Sequence, residues 1–269
     1  MLVAVDTGGT KTLVGLFNSR GEMTESVKFP TPRHHLAYIS ELADTISEMI
    51  DSKRIDAISI ALPGMIKGGT ALWCGNLGWE NIKIGSLLKK HFDVPIFIEN
   101  DGNLAGLAET KSLPKRYDNS VYLTFSTGIG MGLIIDHQIH PALAVTEPGH
   151  MLIEYEGRLR KWETFASGKS IYETYGKFAR DIHSERIWKQ IADKMSRGLL
   201  TIIPAINPDI IILGGSIGTY YDRYSEPLLA HLREQLDDHI PLPEFRQAVH
   251  PEEAVVYGCY YHALNQLAL

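Results

Sequence analysis

Cysteine is nearly missing from this sequence, with Cys74 and Cys259 the only two in 269 residues. Neither belongs to a C-x-x-C pair, so a disulfide framework and an all-cysteine metal site are both unsupported. Long apolar runs are also missing. The first one reaches Asp6 within a few residues and no cationic stretch precedes it, so it reads as a first strand and not as a secretory leader. No apolar stretch is long enough to cross a bilayer. There is no Lys/Arg cluster of the kind that marks a nucleic-acid face, since "KSLPKR" at 111–116 reads as a solvated helix end followed by a loop. These absences point to a protein of the reducing cytoplasm that binds neither nucleic acid nor membrane. The net charge of −6 is mild. It leaves room for an anionic ligand, because glycine-rich backbone binds anions without lysines. Apolar residues make up 44% of the chain, enough for real cores in one large domain or two moderate ones.

The order of elements is mixed. Val3 to Val5 and Thr12 to Phe17 read as a hairpin whose turn glycines, Gly8 and Gly9, suit type I′ geometry. "GEMTESVKFPT" adds a third antiparallel strand. In 35–50, Leu36, Ile39, Leu42, Ile46 and Ile50 recur at helical spacing. "IDAISIALPG" is a central-type strand, followed by a turn-rich stretch, a helix near 84–91, the strand "VPIFIEND" and the helix "GNLAGLAETKS". Beyond "LPKRYDNS" the order partly repeats. "SVYLTFSTGIGMGLIID" is strand, glycine turn and strand. A loop over 137–165 leads to a long helical region at 168–203, the strand "PDIIILGGSIG", and a helix through "YYDRYSEPLLAHLREQL". Pro251 and two glutamates open a final helix. Two glycine hairpins heading two α/β halves predict a duplicated architecture. The smaller lobe covers 1–112 and is completed by the helix at 251–269; the larger covers 113–250. A ligand cleft is expected between them.

Three glycine turns follow apolar strands: "DTGGTK" (6–11), "FSTGIGMG" (125–132) and "LGGSIG" (213–218). None is a Walker A loop or a dinucleotide fingerprint, because the helix that those motifs need is missing or the spacing is wrong. Each alone reads equally well as a plain turn. Together, N–H groups from the first two suit a polyphosphate, and Gly214–Gly215 lets a base or ribose come close to the backbone. Asp6 then has a role as the carboxylate that holds Mg²⁺, directly or through water, against the phosphates. Lys11 is either a phosphate-side cation or a solvated turn lysine.

"IFIENDGNLAG" presents Glu99, Asn100 and Asp101 at a strand end. Asp101 reads both as the helix N-cap and as an ionised base for a hydroxyl attacking phosphorus, and the two readings are compatible. Asn100 suits polyol hydroxyls. "VTEPGHM" and "KWETFASG" offer Glu147, His150 and Glu163, carboxylates that suit a neutral sugar. Asn76, with Gly64 or Gly78, is further lining; Trp73 and Trp79 are expected in the core.

In this order and spacing, the motifs resemble the ROK family of sugar kinases, of the actin-like/hexokinase ATPase superfamily, over nearly the whole chain. The resemblance implies an actin-like ATPase (ribonuclease H-like) duplicated α/β fold, two lobes with mixed sheets around a central cleft. It implies ATP- and Mg²⁺-dependent transfer to a hexose hydroxyl, with glucose the first choice and the 6-hydroxyl the expected position. Fructose, N-acetylglucosamine, N-acetylmannosamine or allose are the alternatives. By the same resemblance Asp101 is the catalytic base, and Asn100, Glu147, His150 and Glu163 are sugar ligands, with Asn76 and Gly64 nearby. Asp6 is associated with the metal. Gly8, Gly9, Thr10 and Lys11 form the first phosphate loop, Thr127 and Gly128 belong to the second, and Gly214 and Gly215 form the adenosine-side turn. A homodimer is implied. So is a kinase and not a repressor, since repressor members carry a DNA-binding domain ahead of this fold and the sequence opens on the first strand. One departure matters. Many members carry C-x-C-G-x-x-G-C between the histidine and the last glutamate, and here the stretch is "GHMLIEYEGRLRKWE". His150 alone does not make a tetrahedral site, so no zinc is expected. Leu152, Ile153, Leu159 and Trp162 are expected to hold the segment by packing.

Overall fold

The computed structural model describes residues 1–51, 53–250 and 253–268. The chain falls into two compact units. One holds Met1–Ser112, Gln138–Val145 and Glu252–Leu269; the other holds Leu113–His137 and Thr146–Pro251.

The first unit opens with three strands, β1 (Leu2–Thr7), β2 (Lys11–Phe17) and β3 (Met23–Pro30), followed by α1 (His35–Ile50) and β4 (Ala57–Leu62). Then come β5 (Met65–Lys67), β6 (Thr70–Cys74), β7 (Trp79–Ile82), α2 (Ile84–Leu88), β8 (Ile96–Asn100) and α3 (Asp101–Lys111). The main sheet has the order β3-β2-β1-β4-β8. Its hairpin strands pair antiparallel, and β1, β4 and β8 pair parallel. Strand alternation sorts the core onto two faces. Val3 and Val5 join Tyr38, Leu42 and Ile46 of α1 on one side, while Leu2 and Ala4 join Leu104, Val256 and Cys259 on the other. Leu36, expected to face inward from α1, is 53% exposed, and Tyr38 takes its place inside. The turn-rich stretch after β4 is a second, antiparallel sheet, β5-β6-β7. Its strands are short and glycine-punctuated, so their period was not legible.

The second unit contains β9 (Asn119–Phe125), β10 (Ile129–Ile135), β12 (Leu152–Tyr155), β13 (Arg158–Lys161), α4 (Glu163–Ala166), α5 (Gly168–Tyr175) and α6 (Glu185–Ile206). After these come β14 (Ile210–Gly214), α7 (Gly215–Gly218), α8 (Tyr221–Gln235) and β15 (Glu244–Gln247). The short β11 (Gln138–Ile139) and the closing α9 (Ala254–Leu267) belong with the first unit. Pro251 and Glu252, read as the opening of the last helix, lie outside the described residues. The main sheet of the second unit contains β10-β9-β14-β15 in that order, antiparallel at β10–β9 and parallel across β9–β14–β15. Both units therefore have mixed α/β sheets.

Two expectations are corrected here. The helical region at 168–203 is divided, because Gly176 ends α5 in the left-handed conformation at φ 65°. The loop expected over 137–165 contains the β12–β13 hairpin. Its turn places Glu156 and Gly157 at φ 54° and 74°, the pair of positive values that a type I′ hairpin requires.

Candidate functional site

The first glycine turn closes with the Gly8 N–H donating to the Lys11 carbonyl at 2.9 Å. Neither glycine adopts positive φ, so the expected type I′ turn is not formed. The glycines serve close approach instead. A Cβ on Gly8 would lie 3.0 Å from the Lys11 carbonyl oxygen, and one on Gly9 would lie 3.4 Å from the Asn76 Cβ. Thr31 straps the turn. Its N–H donates to the Thr10 carbonyl at 3.0 Å and its hydroxyl to the Gly8 carbonyl at 2.8 Å. The Thr12 hydroxyl, 2.9 Å from that of Thr31, is left as the donor between them. With the carbonyls engaged, the N–H groups of Gly9 and Thr10 have no acceptor among the described residues. Unpaired backbone donors at such a turn suit an anion. Asp6 sits at the end of β1, where burial pushes its carboxyl up to about 6 against the pull of Lys28. A cation beside it would favour the charged form. Lys11 is exposed.

Asn100, and not Asp101, caps α3. Its Oδ1 accepts from the Gly102 and Asn103 N–H groups at 2.8 and 3.1 Å, while its Nδ2 donates to the Gly64 carbonyl at 2.8 Å. The side chain expected to bind a polyol is thus largely committed to holding the backbone. Asp101 takes the first helical position, with Oδ1 accepting from the Gly102 N–H at 2.9 Å. A carboxylate there is favoured by the helix field. Behind it, Glu99 accepts from the Asn100 N–H at 2.7 Å and from the Asn103 amide at 2.8 Å. Burial raises the Glu99 carboxyl, and those two donors pull it back. Asn103 also donates to the Ala144 carbonyl at 2.8 Å. Asn103 was missed from sequence, although it stands four residues from Glu99, one helical turn away.

β6 and the turn after it link these groups. Gly64, at φ 100°, packs its Cα against the Trp73 carbonyl so closely that a Cβ has no room. The buried Cys74 thiol is pushed up to about 12 by burial and by the negative charge of Asp101. Two residues on, Asn76 adjoins Gly9. Asp101, Gly64, Asn76 and the first glycine turn therefore form one neighbourhood. Trp79 is buried, donating to the Arg33 carbonyl at 2.7 Å. Trp73, expected in the core, is 52% exposed on the short strand β6.

The second glycine turn closes one residue shorter. The Ser126 N–H donates to the Gly128 carbonyl at 3.0 Å, and the N–H groups of Thr127 and Gly128 have no acceptor among the described residues. Its support comes from packing. The Ser126 hydroxyl accepts from the Ser216 N–H at 3.2 Å, and the Ser126 carbonyl accepts from the Lys169 N–H at 3.3 Å. Gly168 lies so near that a Cβ would be 2.8 Å from both the Ser126 carbonyl and the Ser216 hydroxyl oxygen. Gly215, at φ 79°, would put a Cβ 2.7 Å from the Phe125 backbone, so this glycine's close approach is to β9 itself. Gly214 stands against the Tyr122 ring in the same way.

Glu147, His150 and Glu163 gather beside this turn. His150 Nε2 lies 3.4 Å from Glu163 Oε1. A Cβ on Gly128 would be 2.8 Å from Glu163 Oε2, and one on Gly149 would be 2.9 Å from it. Burial raises the Glu147 carboxyl, His150 lowers it and Glu163 raises it further. The 151–162 segment is pinned differently from the expectation. Leu152 and Leu159 are 66% and 70% exposed, since alternation places them on the outward face. The other face carries Tyr155, stacked on Phe165 with centroids 4.3 Å apart. Trp162 is fully buried, donating from Nε1 to the Lys194 carbonyl at 3.0 Å. Among the described residues, no three His, Cys, Asp or Glu side chains gather to hold a metal ion. Nor is any helix among them long and apolar enough to cross a membrane.

The profile of the ROK family matches residues 2–266, and the chain belongs to that family. The ROK hexokinase structure from Thermus thermophilus is similar at a TM-score of 0.83 and 27% identity, covering 99% of each chain. Glucokinase from Thermotoga maritima is 27% identical over 291 residues, 91% of this chain and 89% of that protein. N-acetylmannosamine kinase from Yersinia pestis is 29% identical over 244 residues, 80% and 83% respectively. The mixed α/β sheets are those of a ROK-family kinase fold.

Proposed function

We propose that this chain transfers the terminal phosphoryl group of ATP to a hexose hydroxyl, most simply the 6-hydroxyl of glucose, with Asp101 as general base. The observation that carries this reading is the junction of β8 and α3. Asn100 caps the helix, so Asp101 is held at the first helical position with Glu99 and Asn103 bracing the backbone behind it. A carboxylate so placed accepts the hydroxyl proton as that oxygen attacks phosphorus. The N–H groups of Gly9, Thr10, Thr127 and Gly128 suit phosphate oxygens, whose charge they help to neutralise. Asp6 fits Mg²⁺, which needs only one or two carboxylates when phosphates supply the remaining ligands. When bound, the cation screens the phosphate charge. Glu147, His150 and Glu163 are assigned to the sugar hydroxyls, Glu163 being already oriented by His150.

Asp101→Asn is expected to keep sugar affinity and lose turnover by about 10²–10⁴-fold. Calorimetric sugar binding alongside a coupled ADP-release assay measures both, and unchanged turnover would overturn the assignment of the base. N-acetylmannosamine and fructose are the alternative acceptors, the first favoured by the Yersinia relative's name. The same assay across a hexose and N-acetylhexosamine panel, with polyphosphate run beside ATP, ranks acceptors and donors. No turnover with any of them would leave a sugar-binding protein without catalysis.

A further inference from the structure

Three cations in the second unit face one cavity, and none of them is ion-paired among the described residues. A hollow of about 570 Å³ is walled by Tyr155 of the hairpin, Tyr175 at the end of α5 and the first half of α6. α6 lines it with Arg186, Lys189 and Lys194. Lys194 is only 5% exposed, with its ammonium 5.1 Å from the Tyr175 ring centroid. Among the described residues none of the three makes a side-chain hydrogen bond or ion pair. The two acids of the lining are already taken. Glu156 is 3.3 Å from Arg160, and Asp193 is 3.2 Å from Arg197.

A buried ammonium with no direct ion pair is costly, and the charges of Glu156 and Asp193 reach Lys194 without bonding to it. Burial lowers the Lys194 ammonium from its ordinary value, a loss that an incoming anion reverses. The neutral polar groups leave donors over. The Tyr175 hydroxyl donates to Gln190 Oε1 at 3.0 Å, which leaves the Gln190 amide N–H groups available. The volume is that of a small-molecule site and exceeds what a bare oxyanion fills. Two aromatic walls suit a carbon frame with C–H faces.

We propose that this cavity is a second binding site, taking a small polyol phosphate monoester. Its dianion is held by Lys194, Arg186 and Lys189, and its carbon frame lies on Tyr155 and Tyr175. The site uses none of the residues assigned to phosphoryl transfer and does not depend on that assignment.

The test is calorimetry on the full chain with glucose 6-phosphate, inorganic phosphate and glucose as probes. Glucose 6-phosphate is expected to bind at millimolar concentration or below, more tightly than inorganic phosphate and with salt-sensitive affinity. Lys194→Met should weaken that binding by about tenfold or more. The double variant Arg186→Gln/Lys189→Gln changes exposed side chains only and should do the same, so it carries the test if Lys194→Met fails to fold. The binding of glucose should be unaltered in both. Absence of glucose 6-phosphate binding, or wild-type binding by the folded variants, overturns the site. Equal binding of inorganic phosphate overturns the ester assignment.

Discussion

The two glycine hairpin turns make the same offer, a pair of N–H groups unpaired among the described residues, and build it by opposite means. The first is strapped by hydroxyls. Thr31 takes the Gly8 and Thr10 carbonyls, and below it the Thr7 and Tyr38 hydroxyls meet at 2.7 Å in a buried pair. The second is wedged by backbone, with Gly168, Gly215 and Ser216 closing on Phe125 and Ser126. The first also carries a titratable group, Asp6, whose carboxyl burial holds near 6. The second borrows its nearest carboxylate, Glu163, from a helix far along the chain. Polar straps tolerate small changes in shape, whereas a wedge of glycines tolerates almost none.

Variants can break that contrast. The largest effect is expected from Asp6→Asn, with turnover falling by about 10²-fold or more as the carboxylate proposed to hold Mg²⁺ is lost. Stability should move the other way. Between pH 3.8 and about 6 the native state retains a proton on Asp6 that the unfolded chain has released, so stability falls as pH rises through that window. At neutral pH the asparagine variant should therefore be more stable, by up to about 3 kcal/mol, with a flatter acid-side slope. Urea midpoints between pH 4 and 7.5 measure it. Gly215→Ala comes next. The positive φ and the Phe125 backbone together should cost about 2–4 kcal/mol by thermal unfolding. Gly9→Ala, which meets Asn76 at ordinary contact distances of 3.4 Å to its Cβ and 3.8 Å to its carbonyl oxygen, should stay within about 1 kcal/mol and act on nucleotide affinity instead. If the two glycine variants destabilise equally, the contrast between wedge and strap fails. Thr31→Val sharpens it from the other side, leaving the Gly8 carbonyl short of its donor and the Thr12 hydroxyl short of its acceptor at a cost of about 1–2 kcal/mol, with KM for nucleotide rising before kcat falls.

The legibility of this molecule divides along physical lines. Long periodic elements could be read directly, because Ile39, Leu42 and Ile46 repeat at 3.6 and the β4 run is apolar throughout. Short elements could not. β5 to β7 and the β12–β13 hairpin have three to five residues each, too few for a period to emerge from glycines and charges. Capping was misassigned by one position. Asn100 and Asp101 are both good caps on propensity, and only the Gly64 carbonyl, waiting for the Asn100 amide, decides between them. Candidate residues were legible where a motif concentrates unusual groups, as in "DTGGTK" or "END". Their supports, Thr31, Tyr38, Asn103, Gly168 and Ser216, were not, because each is an ordinary residue made special by a distant neighbour.

Sequence alone determined the family, the α/β order of elements, the glycine turns and the set of acids and hydroxyls, since these depend on local patterning along the chain. Tertiary structure decided which groups those residues touch. It set Glu163 against Gly128 and His150, gave Asn100 to the backbone and buried Lys194 in a cavity wall with no ion pair among the described residues. Contacts between residues tens of positions apart are set by packing, and no local period records them.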